Sequence, residues 1–343
     1  MLVVEKEARL FTKASVVNQA RLHGGYHYPR SVATAVMSDD NKARFTAEHR
    51  PFINFEFEKY YAVEKFGSFT DAAQFERFCR HLRIRADRVN AHPLFDFRRI
   101  EALYRTTEYT FDPILLADHY RRALAAAPGI EVRRRTVPTR AATENGQWRV
   151  ELNGKQSVRA AAVINATYAS SNGVNAVFGQ RELQLMHEIS EMVFVTSLQV
   201  KDLGLTVMDG QYGSLMPYGK TGLLSLSSVA YTHHKVSYAN RPRFDCMPHN
   251  PACSPGAVSD CNACPVRPRS HERKMRRQIE QYFNETVRFD YFTSRFTVKS
   301  KLKANHIDDG RPTEISQLSG DPPFYCIFAG KINSIYEIEK VVG

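Results

Sequence analysis

The stretch from Glu108 to Ser170, "EYTFDPILLADHYRRALAAAPGIEVRRRTVPTRAATENGQWRVELNGKQSVRAAAVINATYAS", constrains the fold more than any other part of the chain. Asp112-Pro113 opens a predicted helix, because an aspartate caps free N–H groups and proline suits the first turn. The helix runs to about Ala127, and Pro128-Gly129 closes it. A strand, "IEVRRRTV", follows. Turn signals at Asn145-Gly146 and Asn153-Gly154 then mark a small antiparallel insertion, and the apolar strand "AAAVINAT" ends the unit. Helix, strand, insertion and buried strand in that order point to a nucleotide-binding α/β domain.

The rest of the chain carries weaker periodicities. "MLVVEKE" reads as a short strand ending in Glu5. Residues 41–60 and 70–83 carry helical patterns, the second with Thr70 and Asp71 as N-caps and Gln74 beyond them. "YYAVEKF" lies between them and is rich in strand formers. "EMVFVTSLQV", "GSLMPYG" and "TGLLSLSSVAY" alternate apolar and polar residues, which predicts an antiparallel sheet with one exposed face. Residues 271–288 predict one further amphipathic helix. "YCIFAGKINSIYEIEKVVG" predicts a strand, a glycine turn and a helix. No repeat or low-complexity segment interrupts this order.

With 343 residues, 43% of them hydrophobic and 24% charged, the chain has the makings of a globular core. No apolar run reaches the roughly 20 residues of a membrane span, and no basic-then-apolar leader is present. The expectation is a soluble, cytoplasmic protein with no membrane partner. Lysine and arginine number 47 against 36 acidic residues, a net charge of +11. That surplus favours anionic ligands, but the basic clusters lie beside no nucleic-acid-binding signature. A nucleic-acid partner is therefore not expected.

In this order the pieces resemble the FAD-dependent oxidoreductases of the D-amino-acid oxidase type, over nearly the whole chain. "LVVEKE" resembles that family's second strand, whose terminal acid, here Glu5, holds the adenosine ribose. "ASVVNQARLHGGYHYP" resembles its next loop, which runs beside the pyrophosphate and the flavin ring. The resemblance implies that Asn18, Gln19, Ala20, Arg21 and Leu22 line the phosphate side, and that Gly24 and Gly25 let backbone approach the ring. It sets His23, Tyr26, His27 and Tyr28 at the border of flavin and substrate. Val137 resembles the position whose backbone meets the adenine. "AAAVINATYASSNG" resembles a strand ending in an Ala-Thr-Gly turn beneath the cofactor, with Ala166 and Thr167 matching and Tyr168 where the family usually has glycine. "DDGRPTEI" and "FAGKINSIYEIEKVV" resemble the C-terminal flavin segment. There Gly330, Lys331 and Ile332 lead into a helix whose N-terminus would stabilise negative charge on the flavin. Arg311 is the candidate for pairing a substrate carboxylate or a flavin carbonyl.

The implied fold class is mixed α/β: a discontinuous, Rossmann-like FAD-binding domain (1–36, 108–180 and 295–343) interleaved with an antiparallel-sheet substrate domain (37–107 and 181–294). Family members open with a strand and a G-x-G-x-x-G turn that carries the pyrophosphate. This sequence opens at what would be the second strand, so it reads as N-terminally truncated and is expected to bind FAD poorly or not at all.

The Cys-rich loop at 246–264, "CMPHNPACSPGAVSDCNAC", needs its own explanation. Cys246, Cys253, Cys261 and Cys264 have spacings compatible with a structural zinc ion, with Cys261 and Cys264 as a C-x-x-C pair spanning two corners of a tetrahedron. An iron–sulfur cluster, a redox disulfide and unligated buried thiols are the alternatives. His249 is a less suitable ligand.

The functional expectation is an FAD-dependent enzyme that oxidises a C–H bond next to a hydroxyl or amine of a small acidic substrate and passes electrons to an acceptor the sequence does not name. Arg311 would hold the acid, and His27 or Tyr28 would accept or position the substrate proton. His233 and His234 could also supply a base, though they read more simply as surface residues. Tyr212 and Met216 could line the pocket. The alternative is an inactive remnant that acts as a zinc-stapled, basic binding protein.

Overall fold

A computed structural model describes the chain except Tyr28, Ser31, Ala33, Thr34 and residues 37–40, 304–312 and 342–343. Its centre is a nine-stranded sheet. From one edge the strands run His233–Ser237, Leu185–Thr196, Leu224–Ser228, Gly213–Pro217, Leu203–Met208, Glu58–Glu64, Ile100–Thr106 and Ala86–Val89, with Asp290–Leu302 paired along the whole length of Leu185–Thr196. Every pairing is antiparallel except that of Leu203–Met208 with Glu58–Glu64, which is parallel.

Period-two alternation decides what each face carries. Tyr60 and Ala62 point to one face, where Leu205, Leu215 and Leu226 join them, and Met275 and Ile279 of the helix Glu272–Glu280 cover it. Tyr61 and Val63 point to the other face, against Phe75 and Phe78 of the helix Ala72–Leu82. Each fully buried side chain of this size contributes roughly 1.5–3 kcal/mol. The capping box expected at the second helix is present: Asp71 accepts from Gln74 N, and Gln74 Oε1 accepts from Asp71 N.

The serine-alternating strands correct one expectation. Leu224–Ser228 and Gly213–Pro217 are buried at every position. The polar face is not open to solvent because the early loop lies on it: Ser225 Oγ donates to Gln19 O, Gln19 Nε2 donates to Ser227 Oγ, and Tyr218 Oη donates to Val16 O.

The other half of the molecule is built from small sheets. Leu2–Glu5 pairs in parallel with Glu131–Arg134. Val163–Asn165 pairs in parallel with Pro323–Phe328, which continues antiparallel to Glu314–Gly320. The strands Pro138–Glu144, Gln147–Leu152 and Gln156–Ala160 form a meander, with the expected turns at Asn145-Gly146 and Asn153-Gly154 in the left-handed conformation. These pieces share one core, including Leu2, Val4, Trp148, Val163 and Phe324. The helix Pro113–Ala126 starts where Asp112 predicts: its Oδ1 accepts from Ile114 N and Leu115 N.

Two helical expectations were too long, and a third helix is of another type. Residues 41–60 divide into the helix Lys42–Glu48, a 3-10 turn at Arg50–Phe52 and strand residues from Ile53, since Pro51 lacks the N–H a continued helix needs. The helix expected over 271–288 ends at Glu280. The C-terminal helix is the 3-10 helix Ile332–Lys340. No described helix is long and apolar enough to cross a membrane.

Candidate functional site

The loop singled out in the sequence is held between the large sheet and a short strand. Arg21–Leu22 pairs with Tyr109–Phe111, which also pairs with Ile53–Asn54. Ala20 takes a left-handed φ of 55°, and Asn18 Oδ1 satisfies its N–H at 2.7 Å. Gly25, at φ 88°, makes the turn that follows, where an added Cβ would stand 3.3 Å from Ala35 O.

This geometry drives Arg21 into the sheet, where it is 4% exposed. Its Nη2 donates to Thr206 Oγ1 at 2.9 Å and Ser214 Oγ at 2.5 Å, and Nη1 donates to Tyr61 Oη at 3.3 Å. Glu108, equally buried, stands 3.5 Å from Arg21 Nε and accepts from Tyr61 Oη at 2.8 Å and Gly24 N at 3.1 Å. Lys59 lies beneath: Nζ donates to Thr206 Oγ1 at 2.5 Å and sits 4.4 Å from the Tyr61 ring centre. Burial, and then the Arg21 charge, pull the Lys59 ammonium well below the usual lysine range. Burial and the Glu108 charge push the Tyr61 phenol well above its usual range.

Above the cluster sit two histidines with ring centres 6.1 Å apart. His23 Nδ1 faces Glu108 Oε1 at 4.0 Å. His27 Nδ1 is 3.4 Å from Arg21 Nη1. A guanidinium only donates, so His27 Nδ1 is the acceptor in that contact and the proton of a neutral His27 ring resides on Nε2. Tyr26 does not border this space. It is packed in the core and donates to Arg85 O at 2.7 Å.

Leu22 and Ile332 belong to one apolar cluster, so the early loop and the late segment after Gly330 do meet. Lys331 caps that segment, its carbonyl accepting from Ser334 N. Glu5 and Val137 are neighbours through Thr136 N donating to Glu5 O, while Glu5 Oε1 accepts from Glu7 N. Asn153 bonds the Val137 backbone through both its amide N–H and its Oδ1. After Ala166, Thr167 N and Oγ1 both donate to Asn165 Oδ1. Tyr168 then adopts φ 53°, the conformation a glycine takes freely. Its ring stacks on Phe328, and its hydroxyl both donates to Ser300 O and accepts from Ser300 N. Tyr28 and Arg311 lie outside the described residues.

Lys59, Tyr61, Glu108, Thr206 and Ser214 were not picked out in the sequence. One signal was available: period two places Lys59 on the same side as Tyr61 and Val63, an inward position where lysine is unusual. Met216 lies beside this cluster, its sulfur and Lys59 Cδ both 3.1 Å from where a Cβ on Gly204 would stand. Tyr212 does not. It lines a cavity of about 380 Å³ with Arg99, Tyr231, Lys274, Arg277 and Tyr282, against the opposite, helix-covered face. The His234 side chain is only 4% exposed, donating through Nε2 to Glu191 at 2.8 Å and stacking on His271 at 4.1 Å. Glu191, His234 and His271 bring ligand atoms within 4.8 Å of one another. Burial raises the Glu191 carboxyl, but hydrogen bonds from His234, Ser270, Ser294 and His271 N outweigh it and hold the group below its usual value. That is a satisfied internal carboxylate, and a metal there would have to displace its donors.

All six cysteines are free. Cys246, Cys253, Cys261 and Cys264 line one cavity of about 20 Å³ over Ile189 and Val298. Burial, then the neighbouring Cys253 and Cys264, push the Cys261 thiol up to about 12.

Residues 1–293 match the family described as FAD dependent oxidoreductase, DAO. The chain belongs to that family. No curated protein matches the sequence. Among solved structures, glycine oxidase from Geobacillus kaustophilus is similar at 14% identity and a TM-score of 0.67, covering 97% of this chain and 83% of that one. L-alpha-glycerophosphate oxidase from Mycoplasma pneumoniae, with FAD bound, is similar at 13% identity and TM-score 0.65 over 96% and 82%. Iminodiacetate oxidase from Chelativorans sp. BNC1 is similar at 10% and TM-score 0.64 over 97% and 90%. These likenesses establish the fold of an FAD-dependent oxidoreductase. The residues present fit the family's cofactor in two respects. The early loop and the late segment converge, and Thr110 Oγ1, on the strand that pairs with Arg21 and Leu22, is buried with no hydrogen-bond partner among the described residues.

Proposed function

We propose that this FAD-dependent oxidoreductase oxidises a C–H bond next to a hydroxyl or amine of a small acidic substrate, at the space above the Arg21–Glu108 pair. The observation that carries the reading is the buried charge set itself: Arg21 and Lys59 face a single carboxylate, Glu108, beneath two histidines. An arriving anion compensates that excess of cations and favours the charged form of Lys59. The solved relatives are named for glycine, glycerophosphate and iminodiacetate, all small acids, which supports an acidic substrate here.

FAD supplies the hydride acceptor when bound, and the chain's own groups bind, orient and move the proton. Asn18 to Leu22 would line its phosphate side, His23, Gly24, Gly25, Ala166, Thr167 and Gly330 to Ile332 its flavin side, and Glu5 and Val137 its adenosine side. Glu108 fixes Gly24 and draws His23 Nδ1 towards itself, and a proton on Nδ1 makes Nε2 the acceptor for a substrate hydroxyl proton. His27, with its Nδ1 engaged by Arg21, presents Nε2–H as a donor. An amine substrate needs only its neutral form and no such base. Zinc enters only as a structural ion at the four thiols, because four thiolates leave no open position.

The test is anaerobic mixing of FAD-loaded protein with small hydroxy and amino acids, following loss of the flavin's visible absorption. The expected result is reduction by an acid and not by its amide, with His23→Gln slowing a hydroxy acid about 10²–10⁴-fold. A protein that takes up no FAD, or is reduced equally by acid and amide, refutes the reading and returns the alternative of a binding remnant.

A further inference from the structure

We propose that the zinc held by Cys246, Cys253, Cys261 and Cys264 makes their loop a clamp that fixes residues 6–13 against the helix Ser171–Val177. The clamp rests on the zinc reading, which the same experiment tests separately.

The site is built for one ion. The four thiols line a single cavity of about 20 Å³, room for one atom-sized occupant. Asn250 Nδ2 donates to Cys264 Sγ at 3.3 Å, the kind of outer hydrogen bond that orders a thiolate ligand. Cys264 N donates to Cys261 O, and Asp260 and Asn262 hold the intervening 3-10 turn, with Asn262 Nδ2 reaching Phe296 O. Lys6 is within electrostatic reach of Cys253, and Lys235 of Cys246, which suits the net negative charge of a tetrathiolate zinc. Among the described residues only Glu191, His234 and His271 have ligand atoms all within 4.8 Å, so no three thiols are yet that close. Thiolates on a tetrahedral zinc stand ~3.8 Å apart, so loading draws the sulfurs inward by side-chain rotation.

The middle of the loop grips its neighbours. Lys6 Nζ donates to Ala252 O at 3.0 Å, Ala257 O at 2.9 Å and Ser259 Oγ at 3.0 Å. Lys13 Nζ donates to Val258 O at 3.0 Å, and Val258 N donates to Ser170 Oγ at 3.1 Å. Gly173 packs so tightly that an added Cβ would stand 1.9 Å from Gly256 O. An ammonium satisfied by three acceptors from one loop requires those acceptors to be fixed in space. Apart from Phe244, Met247 and Val258, the loop has little apolar core to fix them, so the ion is the natural anchor.

The test uses the full chain: metal analysis, then amide hydrogen exchange before and after removal of metal by a strong chelator. The expected results are one zinc per chain, and faster exchange on chelation over residues 6–13 and 171–177. Lys6→Met should keep the zinc yet speed exchange at 6–13. Cys261→Ser should lose the zinc, and because chelation acts on the unmutated chain, a misfolded variant does not blunt the test. Iron with acid-labile sulfide, or no metal with all four thiols open to alkylation, overturns the zinc. Zinc present but exchange unchanged on its removal overturns the clamp and leaves the zinc reading standing.

Discussion

Replacing Glu108 with glutamine removes one charge and little volume, which makes it the sharpest probe of the buried cluster. At 3.5 Å and an effective dielectric of about 20, the Arg21–Glu108 attraction is roughly 5 kcal/mol. The amide keeps one acceptor oxygen, so it can serve Tyr61 Oη or Gly24 N but not both at once. Thr206, Ser214 and Tyr61 still accept from Arg21, which recovers part of the loss. The expected cost is about 3–5 kcal/mol, the range for stripping one partner from a buried ion pair. Urea unfolding of Glu108→Gln, Arg21→Met and the double variant measures it. The double variant should be more stable than Glu108→Gln alone, because the buried guanidinium that Glu108 balanced is then gone. A loss below about 1 kcal/mol for Glu108→Gln, or a double variant whose losses simply add, refutes the claim that the two charges hold each other.

Two further outcomes follow from groups described above. Lys59 has a folded-state pKa well below 10.5, so between that depressed value and 10.5 the unfolded chain binds more protons and stability rises with pH. Lys59→Met should therefore gain most over the parent at low pH, by about 1–4 kcal/mol, and the gap should narrow as pH rises towards 10.5. Parallel stability–pH curves would contradict this. Gly173→Ala drives a Cβ into the Gly256 carbonyl and should cost about 3 kcal/mol or more, with faster proteolysis at residues 246–264 while the sheet's circular dichroism is retained.

How much of this was readable in the sequence depended on the range of the interactions. Local chemistry was legible: the Asp112 cap, the Asp71–Gln74 box and the Asn-Gly turns each act within a few residues, and each sits where expected. Tyr168 was legible as an anomaly. It stands where the family resemblance implies glycine, and its backbone takes the glycine conformation. What could not be read were partnerships made by the sheet. Arg21, Lys59, Glu108, Thr206 and Ser214 come from stretches far apart in the chain, and the pairings of Leu203–Met208 with Glu58–Glu64 and with Gly213–Pro217, and of Arg21–Leu22 with Tyr109–Phe111, help bring them together. The same reason explains the serine strands. Alternation reports two kinds of face, but not that another part of the chain covers the polar one. Helix ends failed where the pattern continued past a residue that cannot carry the backbone bonding, as at Pro51.

The single parallel seam in the large sheet also bears on how the molecule is made. Glu58–Glu64 has one long-range neighbour, Leu203–Met208, that leaves the ribosome far later, and contacts so distant along the chain are slow to close. Until that second strand arrives, the early strands expose a half-finished edge and the apolar surface destined for the helix Glu272–Glu280. Synthesis of this protein thus contains an extended interval in which that edge of Glu58–Glu64 stays open, the kind of unpaired edge through which incompletely folded chains associate.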